Sequence, residues 1–89
     1  MASYMLVRHK VRDFSKWKRV YDAHLPKRGE AGLTEKYLLR GAKNPNEVII
    51  LFEAKDIKRA EDFARSVDLK ETMKKVGVVD EPNIYFLNG

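Results

Sequence analysis

Two histidines, His9 and His24, are the side chains of this sequence best suited to acid–base chemistry. His9 lies in the middle of a predicted strand, in phase with apolar residues, so it would point into an apolar layer where an imidazole could handle a proton. His24 lies on the apolar stripe of a predicted helix, near the C-terminal end where an imidazolium is favoured. We therefore take both as candidate catalytic residues, although an interior histidine often has only a packing role.

Four aromatic residues could contact a flat substrate. Trp17 and Tyr21 share the stripe of the first predicted helix and could form one wall of a cavity. Tyr37 and Tyr85 lie in the second and fourth predicted strands and could offer hydroxyl groups to a ligand. Alternatively, Trp17 and Tyr21 pack in the core, and Tyr37 and Tyr85 pack between subunits.

Other kinds of site are not indicated. The sequence contains no cysteine, which excludes disulfide and thiol chemistry. The histidines and carboxylates lack the paired spacing of a metal site, and there is no nucleophile elbow, phosphate loop or dinucleotide fingerprint. We therefore expect neither a metal nor a cofactor. Oxygenation without a cofactor remains open, because an electron-rich substrate anion can itself reduce dioxygen inside a dry pocket.

The elements that must position these residues follow from hydrophobic periodicity. Residues 3–12, 33–40, 47–54 and 83–88 alternate as strands do. Asp13 is a good N-cap for a first helix, whose stripe is formed by Phe14, Trp17, Tyr21, His24 and Arg28.

Proline and glycine positions refine this prediction. Pro26 predicts a kink or restart of the first helix, and Gly32 predicts its end as a left-handed cap. Asp56 and Ser66 each predict the start of a helical segment in the second half of the chain. The stripe of the later segment would be formed by Leu69, Met73 and Val76.

The order strand, helix, strand, strand, helix pair, strand predicts a single domain over residues 1–89. Two split crossovers of this kind give an α+β, ferredoxin-like βαββαβ plait, a four-stranded antiparallel sheet with helices on one face. The strands are apolar on both faces, as in Glu47–Ala54, where even and odd positions alternate across the sheet. The chain is too short to cover both faces, so we expect a homodimer packed sheet to sheet.

Charge and hydropathy restrict the partners. The net charge is +5, but the basic residues are scattered, which favours a solvated surface over a nucleic-acid site. The longest apolar run, Val48–Phe52, is too short to span a membrane, and no signal peptide is indicated. We expect a cytoplasmic protein that binds neither nucleic acid nor membrane. Arg8, Arg40 and Glu53 are charged strand residues that we expect to form ion pairs between subunits, or else to anchor a ligand.

The sequence also resembles a known family. The segments VRDFSKWKRVYDAHLP, EAGL, YLLRGAKNPNEVIILFEAKD and FARSVDLKETMKKVGV are similar to those of the dimeric α+β barrel superfamily, in particular of domains related to antibiotic-biosynthesis monooxygenases. The resemblance implies two sheets packed face to face about a twofold axis. The superfamily includes haem-degrading members. These need a ligating histidine on the second helical segment, and residues 56–76 contain none.

Three functions follow as expectations. The first is a cofactor-free monooxygenase, or a related cyclase or isomerase, that acts on a small aromatic or polyketide-like molecule. The second is a non-catalytic dimeric module that binds a ligand or assists another protein. The third, and least favoured, is an RNA-binding module, because the strand–helix order is shared but the third strand has no basic residue and no glycine.

Overall fold

The structure, a computed structural model, describes residues 2–66, 70–71, 74–75, 77–78 and 82–89. Its elements are, in chain order, β1 (Ser3–Lys10), α1 (Phe14–Ala23), α2 (Leu25–Glu30), β2 (Leu33–Arg40), β3 (Glu47–Ala54), α3 (Ile57–Ala64) and β4 (Asn83–Asn88). The strands form one antiparallel sheet in the order β2-β3-β1-β4. The α+β ferredoxin-like plait predicted from the sequence is therefore confirmed.

Both predicted aspartate caps are present. The carboxylate of Asp13 accepts hydrogen bonds from the backbone N–H groups of Ser15 and Lys16, at 3.0 and 3.3 Å. The carboxylate of Asp56 accepts one from Lys58 at 2.9 Å. These bonds satisfy donors that a helix N-terminus otherwise leaves without partners, so they fix where α1 and α3 begin.

The first helix restarts where Pro26 predicts it. Helix α1 ends at Ala23, His24 is the cap residue between the two helices, and α2 begins at Leu25 with Pro26 in its first turn. Gly32 follows α2 with a φ of +76°, a left-handed conformation that side chains with a Cβ rarely adopt. The restart keeps Leu25–Glu30 helical and close to the sheet.

The later helical segment is described in part. Residues 70–71 and 74–75 are helical, and the N–H of Lys70 donates to the carbonyl of Ser66 at 3.2 Å. Ser66, the predicted cap, is thus the acceptor of an i to i−4 hydrogen bond. The predicted stripe of Leu69, Met73 and Val76 lies outside the described residues.

One face of the sheet forms the core beneath the helices. Cross-strand partners share a face, and Met5 opposite Phe52 and Val7 opposite Ile50 are all almost fully buried. Trp17 of α1, 4% exposed, and Ala60 of α3, fully buried, pack on this layer. Burial of such side chains is worth about 1.5–3 kcal/mol each. No helix in the described part of the chain has the length and apolar character needed to cross a membrane.

The other face of the sheet, which we call the open face, is apolar and uncovered. Its apolar side chains are those of Tyr4, Leu6, Tyr37, Leu39, Ile49, Leu51, Tyr85 and Leu87, and the same face also carries charged residues such as Arg8, Glu47 and Glu53 near its edges. Tyr37, Leu39 and Tyr85 are 62%, 54% and 53% exposed. The two-sided apolar pattern of the strands therefore corresponds to one buried and one solvent-facing layer in the isolated chain.

Charged strand residues have partners within the chain. Arg8 forms an ion pair with Glu47 at 2.6 Å, and Glu53 forms one with Lys36 at 3.2 Å. The Nε of Arg40 donates to the carbonyl of Pro45 at 2.8 Å. The guanidinium of Arg40 lies 3.8 Å from the ring centroid of Phe14. In-chain contacts thus account for the charges that we expected to pair between subunits.

Candidate functional site

A cavity lies between the buried face of the sheet and the helices, and we call it the α1 cavity. Its volume is about 80 Å³, and it is partly open to solvent. The sheet contributes Met5, Val7, His9, Ile50, Phe52 and Ile84 to its lining, and the helical side contributes Trp17, Val20, Tyr21, His24, Arg28, Phe63 and Ala64. At about 10–15 Å³ for each water, the space holds roughly six waters, comparable to one or two fused aromatic rings.

Aromatic side chains of α1 form one wall of the α1 cavity. Their spacing in the sequence, at i, i+3 and i+7, places Phe14, Trp17 and Tyr21 on one side of the helix. The rings of Trp17 and Tyr21 are stacked with centroids 4.8 Å apart and an interplanar angle of 22°. Phe14 lies 5.7 Å from Trp17, on the side away from Tyr21 along the helix, and does not itself line the cavity. Aromatic side chains of this kind can contact a planar ligand.

The two histidines reach the α1 cavity from opposite sides. His9 of β1 is 4% exposed, and its ring lies edge-on to Trp17 at 5.4 Å and 81°. His24 enters from the junction of α1 and α2, where its backbone N–H bonds to carbonyls of the last turn of α1. Its Nδ1 is buried and has no hydrogen-bond partner in the part of the chain that the structure describes. Such a nitrogen is available to exchange a proton or a hydrogen bond with a ligand.

Arg28 of α2 places a positive charge at the α1 cavity. The residue is 6% exposed, and its Nη1 donates to the backbone carbonyl of Tyr21 at 2.5 Å. The guanidinium carbon lies 3.8 Å from the centroid of the Tyr21 ring, a close cation–π contact. Burial lowers the pKa of Arg28 from its usual value, while the neighbouring acidic groups of Tyr21, Glu35 and Asp22 act in the opposite direction.

Tyr21 is a hydrogen-bond donor at the edge of the α1 cavity. Its hydroxyl donates to Oε1 of Glu35 at 2.6 Å. Burial, and then the hydrogen bond to Glu35, raise the pKa of the Tyr21 phenol well above its ordinary range, whereas the Arg28 charge lowers it. The phenol therefore stays protonated at neutral pH, and Tyr21 acts as a wall and a donor, not as a base.

The structure brings together four of the six side chains selected from the sequence. His9, Trp17, Tyr21 and His24 line the α1 cavity. Tyr37 and Tyr85 are on the open face, away from it.

For Tyr37 the cause is a β-bulge. The register of β2 against β3 shifts between Glu35 and Tyr37, so Lys36 is an extra residue. Glu35 pairs with Phe52 on the buried face, and Tyr37 then pairs with Leu51 on the open face. Without the shift, simple alternation would place Glu35 and Tyr37 on the same side.

Arg28 was not selected from the sequence as a site residue, although the pattern placed it on the helical stripe. It follows His24 by four residues and Tyr21 by seven, which are the separations that put side chains on one helix face. Arginine is usually exposed, so its presence on an apolar stripe was the available signal. Among the described residues, no three His, Asp or Glu side chains converge as a metal site would require.

Solved structures with this fold include several monooxygenases. A putative antibiotic biosynthesis monooxygenase from Bordetella bronchiseptica is 16% identical, with a TM-score of 0.76 over 99% of this chain and 96% of that one. One from Caulobacter crescentus is 14% identical, with a TM-score of 0.74 over 99% and 89%. A monooxygenase from the gene ActVA-Orf6 of Streptomyces coelicolor, in complex with the ligand nanaomycin D, is 15% identical, with a TM-score of 0.66 over 99% and 87%.

The similarity extends over almost the whole length of the chain, so it concerns the complete fold. No protein-family model and no curated protein sequence matches this chain. At such identities the solved structures establish the architecture. The resemblance to antibiotic-biosynthesis monooxygenase domains inferred from the sequence is confirmed at that level.

Proposed function

We propose that this chain, which has the fold of the putative antibiotic biosynthesis monooxygenases, is a cofactor-free monooxygenase that acts on a small aromatic molecule in the α1 cavity. The observation that carries the proposal is the buried Nδ1 of His24, which has no hydrogen-bond partner among the described residues, at the wall of an apolar cavity. A base without a competing partner, in a space from which most water is excluded, suits removal of a proton from a phenol.

The chemistry can be written for a bicyclic phenol. His24 takes the hydroxyl proton, and the resulting electron-rich anion transfers electrons to dioxygen. A carbon–oxygen bond forms at the ring carbon para to the hydroxyl, and loss of water leaves a quinone. One oxygen atom of dioxygen becomes the new carbonyl, and the other leaves as water with the two displaced hydrogens. Trp17 would hold the ring flat, and His9 is the second candidate for proton transfer.

Oxygen uptake with 1-naphthol tests this function. The expected reaction consumes one dioxygen for each 1,4-naphthoquinone formed, followed with an oxygen electrode and by absorbance. His24→Gln should lower the rate by about 100-fold, a typical loss for a general base. Lys16→Gln, an exposed change on the same helix, should leave the rate unaltered. Saturable binding of 1-naphthol without oxygen uptake would contradict catalysis and favour the non-catalytic ligand-binding module.

A second copy of the chain is the partner that we propose for the open face. The helices in the described part of the chain lie on the other face, and apolar side chains from all four strands are left in contact with water. The ion pairs Arg8–Glu47 and Lys36–Glu53 already partner the nearby charges, so a second sheet could pack there without stranding them. Sedimentation equilibrium tests the proposal, and a folded monomer at micromolar concentration would contradict it.

A further inference from the structure

The buried guanidinium of Arg28 is the group in the α1 cavity that the proposed reaction does not use. It is 6% exposed, and its one hydrogen bond within the described residues runs from Nη1 to a backbone carbonyl. A guanidinium has five N–H donors, and the structure shows no hydrogen bond from Nε or Nη2 to another described residue. No carboxylate of the described chain forms an ion pair with it.

The two carboxylates that favour the charge of Arg28 each have another partner. Glu35 and Asp22 both favour the charged form of Arg28, but each is exposed and has another partner. Glu35 accepts a hydrogen bond from the hydroxyl of Tyr21 at 2.6 Å, and Asp22 pairs with Lys18 at 2.5 Å. A buried charge without a close counter-charge is unfavourable to the fold, which indicates that something other than stability uses it.

We propose that Arg28 binds a carboxylate of the ligand, so that the α1 cavity selects flat aromatic carboxylates over their neutral analogues. The N–H groups of a guanidinium form a planar fork that matches the two oxygens of a carboxylate. The rings would occupy the apolar part of the cavity, against Ile50 and Phe52 of β3. This selectivity rests on the proposed function for the location of the site, but not for the reaction carried out there.

A matched pair of probes tests the selectivity. 1-Naphthoate and 1-naphthamide have the same shape and differ in charge. Trp17 lines the α1 cavity and is the single tryptophan of the chain, so its indole N–H gives one assignable NMR signal for titration. We expect 1-naphthoate to bind about 10-fold or more tightly than 1-naphthamide, the range expected for a charge-assisted hydrogen bond.

Two variants distinguish an effect of Arg28 from an effect of the overall positive charge of the protein. Arg28→Met should remove the preference for 1-naphthoate and leave the affinity for 1-naphthamide within about twofold, since the apolar contacts remain. Arg19→Met, an exposed change on α1, should retain the preference. If Arg28→Met does not fold, the comparison of the two probes on the wild-type protein still decides the matter.

Equal binding of the two probes, no binding of 1-naphthoate, or an unchanged preference in Arg28→Met would overturn the proposal. The measurement needs no oxygen and no turnover. A preference for 1-naphthoate in a protein that consumes no oxygen with 1-naphthol would refute the monooxygenase function and support the anion site. Oxygen uptake with 1-naphthol in a protein that shows no preference for 1-naphthoate would support the monooxygenase function and refute the anion site.

Discussion

Replacement of Arg28 by methionine should maintain or raise the stability of the fold, which is unusual for a residue that is 6% exposed. The variant removes a guanidinium from the α1 cavity and keeps an unbranched side chain of moderate length there. A residue kept for the fold should lose stability when it is truncated, whereas a residue kept for a ligand need not.

The magnitude follows from the contacts of Arg28. The variant loses the bond from Nη1 to the Tyr21 carbonyl, about 1.5–3 kcal/mol, and the cation–π contact, about 0.5–2 kcal/mol. It is relieved of the desolvation of a buried charge, several kcal/mol, and keeps most of the apolar burial that the stem of Arg28 already provides. The lowered pKa of Arg28, caused first by burial, indicates that desolvation outweighs the charge contacts. The carbonyl of Tyr21 keeps the N–H of His24 as a donor at 3.2 Å.

We therefore expect a free energy of unfolding between that of the wild type and about 2 kcal/mol above it. Urea denaturation followed by Trp17 fluorescence, at fixed protein concentration, measures the difference. Phe52→Ala provides the scale, because a core truncation should cost about 3–5 kcal/mol. A loss of more than about 2 kcal/mol in Arg28→Met would refute the reasoning and make Arg28 a structural residue.

Three further changes test separate parts of the structure. Asp13→Ala removes the α1 cap and should cost about 1 kcal/mol in urea denaturation, whereas Asp62→Ala, an exposed change within α3, should cost less than about 0.5 kcal/mol; equal losses would contradict the capping role. The raised pKa of Tyr21 gives a contribution to stability that is complete below about pH 10, the ordinary phenol value, and is lost above it. Between about pH 9 and pH 11 the wild type should thus lose more unfolding free energy than Tyr21→Phe, and parallel curves would count against this. Leu51→Lys, in the centre of the open face, should convert a dimer to a monomer in sedimentation velocity, whereas Lys58→Glu on α3 should not; a dimer that survives the first change would place the interface elsewhere.

The sequence predicted the two walls of the α1 cavity because each depends on one regular period. The period of two in β1 places His9 with Met5 and Val7, and the helical period places Trp17 with Tyr21. The caps at Asp13 and Asp56 and the restart at Pro26 are local backbone chemistry, so they too could be read from the residues.

Features that depend on a break in the hydrophobic period or on tertiary contacts could not be predicted from the sequence. The bulge at Lys36 turns Tyr37 to the open face, and no residue type announces it. In β4 both phases are apolar, so alternation could not tell that Ile84 faces the helices and Tyr85 does not. The burial of Arg28 depends on how α2 packs after the restart, which residue preferences do not determine.

The α1 cavity as the ligand site is the central claim, and titration of the Trp17 indole N–H signal with 1-naphthol tests it most directly. We expect a saturable shift in the wild type that is lost in Ala64→Phe, which fills the cavity, and retained in Ala23→Phe, which is exposed at the end of α1. An indole signal that does not move, or that moves equally in Ala64→Phe, would contradict it.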